Sequence, residues 1–226
     1  MKKHIPNTIT CLNLFAGCIG VLMALRGEYT YVAYCVLASG IFDFFDGMVA
    51  RALHVKSIIG KELDSLADMV SFGFLPSVIV YTLLEKVDSG FIYLPYAAFI
   101  ICVFSALRLA KFNVDERQTT DFIGLNTPMN TFYVLSLPFI AEVYPDVILN
   151  PYFLLGSAFL TSYLLVSEIR LFSMKLSNVT WADNKYKFLF LLVAVALLIA
   201  FRFMALPLIL GSYFIFSYLH FRKTAV

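Results

Sequence analysis

Charge is scarce in this sequence. Only 14% of its 226 residues are Asp, Glu, Lys or Arg, while 61% are hydrophobic. A soluble globular domain carries about 25% charge, so that class is excluded and a membrane class is indicated. Cysteine is also sparse. Cys11, Cys18, Cys35 and Cys102 all fall in apolar segments without paired metal-ligand spacing, so neither a disulfide framework nor a zinc site is indicated. There is no low-complexity tract and no solenoid-like repeat. Near the N-terminus, Lys2 and Lys3 precede an apolar run in the manner of a signal peptide. Polar residues from Asn7 to Asn13 interrupt that run, and no small-x-small cleavage site precedes Arg26, so the reading is a retained helix.

What the chain has in quantity is apolar sequence of helix-spanning length. Eight candidate spans are predicted: 5–25, 30–52, 57–84, 91–112, 127–142, 147–168, 186–202 and 204–221. Six spans with extra amphipathic pieces is the alternative, because Arg202 is the only charge at the last join. The expected fold is all-α, a polytopic transmembrane bundle forming a single domain over 1–226. Charge placement orients it. With eight spans, 14 of the 17 lysines and arginines fall on one side; only Arg26, Lys86 and Arg202 fall on the other. The positive-inside rule then puts both termini in the cytoplasm, in the cell membrane.

Against this background four carboxylates stand out: Asp43, Asp46, Asp64 and Asp68. An acidic residue in a membrane helix costs ~2.5–3.5 kcal/mol on insertion scales, which marks it as functional. Asp43 and Asp46 share a helix face at spacing three, and Asp64 and Asp68 share one at spacing four. Two such faces together form a nest of carboxylates that calls for divalent cations. Gly47 and Gly60 leave room for a partner helix or a ligand. Arg51 ends its helix with a guanidinium suited to phosphate oxygens. Carboxylates with an adjacent Arg equip a site for a metal-bound diphosphate, and a spare carboxylate can serve as general base. The 53–59 connection between the two pairs lies on the cytoplasmic side, so the site is expected to open there.

The string D-x2-D-G-x2-A-R-x8-G-x3-D-x3-D, filled here by Asp43, Asp46, Gly47, Ala50, Arg51, Gly60, Asp64 and Asp68, resembles the signature of the CDP-alcohol phosphatidyltransferase family. The resemblance implies transfer of a phosphatidyl group from a CDP-linked lipid to an alcohol, with release of CMP. It implies that the four aspartates hold two divalent ions, Mg2+ or Mn2+. Asp68 would deprotonate the acceptor hydroxyl, and Gly47, Ala50 and Arg51 would lie along the nucleotide. The opening Pro6-Asn7-x2-Thr10 resembles the family's entry segment, which would place Asn7 and Thr10 near the nucleotide as well. A homodimer is also implied; no nucleic-acid partner is expected.

Three segments bear on the acceptor. Asn13-Leu-Phe-x-Gly17, Asp64-Ser-Leu-Ala-Asp68-Met-Val-Ser71-Phe-Gly73 and Ala106-Leu-Arg108-Leu-Ala-Lys111-Phe-Asn113 are each similar to the serine-using branch of the family. Gly73 and Pro76 could kink their helix, though packing is the better reading of both. Arg108 and Lys111 share a helix face and offer an anion site for the serine carboxylate, with Asn113 beside them. Lys111 stands where the branch has a second Arg, which keeps the charge but loses the fork. The expected substrates are L-serine and CDP-diacylglycerol, or CDP-archaeol, within membrane lipid. Glycerol 3-phosphate and inositol phosphate are the alternative acceptors, and would need a denser basic pocket. An ion-coupled transporter is the alternative of another class. It is disfavoured because the acids lie toward one membrane face and no internal repeat is visible.

Overall fold

The computed structural model describes residues 4–55, 57–88, 90–115, 121–174 and 181–224. Lys2, Lys3, Lys56, Arg117 and Lys175, all counted in the charge asymmetry, lie outside the described residues. The architecture is all-α, as expected. Helices α1 (His4–Leu25) and α2 (Tyr29–Ala52) are followed by α3 (Ile58–Asp68), which runs through a π-helical turn (Met69–Phe74) into α4 (Leu75–Leu84). A 3-10 turn at Leu94–Phe99 leads into α5 (Ile100–Val114). Then come α6 (Thr127–Ala141), a short α7 (Pro145–Ile148), α8 (Pro151–Val166), α9 (Trp181–Phe201) and α10 (Leu206–Thr224).

Each of the eight segments proposed from sequence is occupied by helix. Edges differ: the connection expected over 170–185 ends at Trp181, where α9 begins. Among the described residues five stretches are long and apolar enough to cross a membrane: His4–Leu25, Tyr29–Ala52, Ile58–Leu84, Leu94–Val114 and Asn184–Arg222. The last is broken at Arg202, whose φ of 52° interrupts the helix and separates α9 from α10. Helices α6 and α8 have 15 and 16 residues. At ~1.5 Å per residue they fall short of a ~30 Å hydrocarbon core.

The stretch Ile58–Leu84 is the central element. Two-thirds of its apolar window is buried (67%), against 17–33% in the other four stretches. Its π turn has a sequence cause. Pro76 has no N–H to give to the carbonyl of Phe72, four residues earlier, and its ring crowds that carbonyl. Thr131 of α6 supplies the missing bond, its Oγ1 donating to Phe72 O at 3.0 Å. Ser77 Oγ likewise donates to Gly73 O at 2.8 Å. Gly73 lets α5 approach: a Cβ there would sit 2.9 Å from Ser105 Cβ. Packing is thus the role of Gly73, while Pro76 shapes the helix.

Two small features escaped the sequence reading. Phe122–Ile123 and Arg170–Leu171 pair as a two-residue antiparallel ladder, joining connections expected to be plain loops. Beside it a second apolar cluster, around Phe172, Phe190 and Tyr213, ties α9 and α10 to the ladder. The principal core lies among α2, α4 and α6, with Val36, Leu75, Ile79 and Leu135 fully buried. Outward positions such as Phe15, Tyr34, Phe44 and Ile199 are exposed and apolar, as lipid-facing positions are.

Candidate active site

The site forms where the first half of α1, the second half of α2 and α3 meet. Helix α1 turns one stripe inward: Thr10, Asn13, Gly17, Gly20 and Ala24, all small or polar and all buried. The stripe brings the α1 backbone against its neighbours. A Cβ on Gly17 would lie 3.0 Å from Ser71 Cα, with Ser71 Oγ nearer still. The carbonyl of Asn13 accepts from Ser39 Oγ of α2 at 3.2 Å and from Ser71 Oγ at 3.1 Å. One carbonyl therefore fastens α1 to both elements that carry the aspartates.

From that stripe two side chains reach the carboxylates. Thr10 Oγ1 donates to Asp46 Oδ2 at 2.5 Å, and Asn13 Nδ2 donates to Asp68 Oδ1 at 3.1 Å. Carboxylate oxygens of Asp43, Asp64 and Asp68 lie within 4.8 Å of one another. Asp46 is buried at 7% exposure and stands apart from that trio, in the grip of Thr10. Asp64 Oδ1 is buried without a hydrogen-bond partner. Three carboxylates this close repel one another in a low-dielectric setting, and an unsatisfied buried oxygen adds to the cost. All-oxygen donors with a free lone pair fit a hard divalent cation such as Mg2+ or Mn2+.

Beside the carboxylates opens a cleft of about 670 Å³. Its walls include Asn7, Thr10, Asp46, Gly47, Ala50 and Asp64, which are residues expected from sequence to meet nucleotide or metal, together with Gly60. The two motif glycines differ in what they admit. Gly60 faces a helix neighbour, since a Cβ there would lie 3.0 Å from Asn7 Oδ1. Gly47 faces open space, and its nearest contact would be Arg51 Nη1 at 4.0 Å. Gly47 therefore keeps the cleft side of α2 bare, and the exposed Arg51 stands at its margin. Between the helices, Ser57 caps α3 by accepting from the Gly60 amide at 3.2 Å, which holds the cleft's edge.

The expected acceptor residues part company. Asn113 turns toward α3, its Nδ2 donating to Ser65 Oγ at 2.8 Å, next to Asp64. Arg108 is buried at 4% exposure, lies over the Phe112 ring at 5.0 Å, and donates from Nε to Leu125 O at 3.2 Å. Lys111 is exposed and pairs with Glu168 at 3.7 Å and with the Val166 carbonyl at 3.4 Å. Arg108 and Lys111 thus lie toward the ladder and the end of α8, whereas Asn113 lies toward the aspartates.

Two residues gain importance only in three dimensions. Asn13 holds Asp68, and its position in the N-terminal motif was the available signal. Lys61 lines the cleft and donates from Nζ to the Asn113 carbonyl at 2.7 Å, joining α3 to the end of α5. Nothing in its spacing marked it out.

Comparison with known proteins agrees with this geometry. Residues 3–166 match the family model described as CDP-alcohol phosphatidyltransferase. The chain is 33% identical over 216 residues to the CDP-diacylglycerol–serine O-phosphatidyltransferase of Helicobacter pylori (strain J99), covering 94% of this chain and 88% of that protein. It is 32% identical over 173 residues to the protein of the same name from Bacillus subtilis (strain 168), covering 74% and 89% respectively. Over 152 residues it is 34% identical to the one from Saccharomyces cerevisiae, covering 60% and 54%.

Proposed function

The chain belongs to the CDP-alcohol phosphatidyltransferase family, and from that premise we propose that it makes phosphatidylserine from a CDP-linked lipid and L-serine. The observation that carries this reading is the approach of Asp43, Asp64 and Asp68 to within 4.8 Å beside a cleft walled by Asn7, Thr10 and Gly47. Such a cleft accepts a nucleotide whose diphosphate ends at the carboxylates.

In this reading Asp43, Asp46, Asp64 and Asp68 hold divalent metal, which when bound supplies charge for the diphosphate and its attacking and leaving oxygens. Thr10 and Asn13 hydrogen-bond two of those carboxylates and so orient them toward the metal. With Oδ1 of Asp68 engaged by Asn13, its Oδ2 takes the proton of the serine hydroxyl. The serine oxygen bonds to the lipid-bearing phosphorus as the bond from that phosphorus to CMP breaks. Gly47 and Ala50 admit the nucleotide, and Arg51 meets its phosphates. Arg108 takes the serine carboxylate, with Lys111 and Asn113 bordering that end of α5.

The excess of Lys and Arg on one side supports a site facing the cytoplasm, in the cell membrane, where water-soluble serine arrives and lipid enters sideways. Purified protein given CDP-diacylglycerol and serine should release CMP only with Mg2+ or Mn2+, and EDTA should stop it. Glycerol 3-phosphate and inositol phosphate serve as competing acceptors. No release with any divalent ion overturns the enzyme reading, and equal release with another acceptor overturns the serine assignment.

A further inference from the structure

Asn130, at 0% exposure in α6, has no hydrogen-bond partner among the described residues for either atom of its side-chain amide. Ser105 Oγ in α5, also at 0% exposure, is in the same state. A membrane interior has no water to satisfy such groups, so a carboxamide is kept there at a cost in stability. An amide that offers both a donor and an acceptor matches a ligand that carries both in return.

Both residues flank one feature of the fold. Thr131, adjacent to Asn130, donates to the Phe72 carbonyl at 3.0 Å. Gly73, adjacent to Phe72, packs on Ser105. Asn130 and Ser105 therefore lie on two sides of the π turn that begins directly after Asp68. Phe72 and Gly73, where α6 and α5 pack, follow Asp68 by about one helical repeat, ~5 Å along the axis, a length that a three-carbon amino acid spans. Arg108 follows Ser105 on the same face of α5, and among the described residues its only hydrogen bond leaves from Nε, to Leu125. The rest of its fork remains for an anion.

We propose that Asn130 and Ser105, together with Arg108, form the subsite for the amino-acid acceptor. The α-carboxylate meets the Arg108 fork and Asn130 Nδ2, and the ammonium meets Asn130 Oδ1 and Ser105 Oγ. The hydroxyl is then left to point back to Asp68. This inference rests on the serine reading above and extends it to two residues outside the signature motif.

The test is the steady-state kinetics of Asn130→Leu and Ser105→Ala, with thermal unfolding in detergent as the check on folding. Leu matches Asn in shape and removes the unpaired amide, so Asn130→Leu should unfold at the same or a higher temperature. Its KM for serine should rise about tenfold or more, the loss of both hydrogen bonds the amide makes to the ligand, with KM for CDP-diacylglycerol unmoved. Ser105→Ala should raise the serine KM in the same direction by a smaller factor. An Asn130→Leu protein that does not fold shows that the amide is structural and overturns the proposal. An unchanged serine KM in a folded Asn130→Leu protein also overturns it. If that variant turns over too slowly to measure, Ser105→Ala decides, and an unaltered serine KM there overturns it. Failure of the serine reading itself appears separately, as wild-type protein without serine-dependent CMP release, and the subsite falls with it.

Discussion

Gly17→Ala tests the claim that a close helix approach builds the site. The added methyl would stand 3.0 Å from Ser71 Cα and 3.1 Å from Ser71 Cβ, so the backbone of the π turn must move away. Overpacking of this kind costs ~1–3 kcal/mol. Alanine also improves helix propensity by ~1 kcal/mol over glycine, which masks part of that cost. Gly40→Ala in α2 is the matched control, because a Cβ there meets nothing within 4 Å and gains propensity alone. The difference between the two variants isolates the clash. For a chain of this size ~1 kcal/mol shifts Tm by about 2–4 °C, so the variants should be separated by about 2–12 °C. The assay is thermal unfolding of both in the same detergent, followed by CMP release. Turnover should fall in Gly17→Ala and hold in Gly40→Ala, since Ser71 and Asp68 are both fastened to Asn13. Equal Tm values and equal turnover would refute the inference that α1 and the π turn are held at contact distance.

Other outcomes follow from the same geometry. Thr10→Val removes the hydroxyl from Asp46 and should raise the half-saturating Mg2+ or Mn2+ concentration about 10–100-fold, the usual cost of losing a second-shell donor; a metal titration of CMP release checks it. Asp68→Asn should abolish serine-dependent CMP release while CDP-diacylglycerol binding, followed by equilibrium binding of labelled lipid, persists; retained turnover removes Asp68 as base. Lys111→Ala should change the serine KM by less than about fivefold, because exposed ion pairs such as that with Glu168 contribute ~0–1 kcal/mol. Arg108→Ala in the same assay should raise it far more, since a buried guanidinium has no solvent to replace it.

Much of the site was legible because its chemistry is written at short range. Asp43 and Asp46 share one helix and Asp64 and Asp68 another, so helical periodicity alone puts each pair on one face. The glycines and Arg51 lie within the same two helices. Less legible was what crosses between helices. Gly47 and Gly60 look equivalent in sequence, yet one faces a neighbour and the other open space. Arg108 and Lys111 share a face, yet one is buried against the loop at Leu125 and the other is exposed, reaching the end of α8 and an ion pair with Glu168. Asn130 has no local signal at all, since an asparagine near a helix start reads as capping until its burial is known.

Composition and periodicity by themselves determined that this chain is a helical membrane protein and that four of its carboxylates lie as two pairs, each on one helix face. The first follows from the scarcity of charge in lipid, and the pairing of the aspartates on two helix faces follows from the 3.6-residue repeat, which need no distant contact. Only the tertiary structure decided which three carboxylates converge, which donors from α1 reach Asp46 and Asp68, and where α5 and α6 leave polar groups unpaired among the described residues. Those depend on how closely helices far apart in sequence approach. That approach is set by Gly17 against Ser71, by Gly73 against Ser105 and by the proline-driven π turn between them.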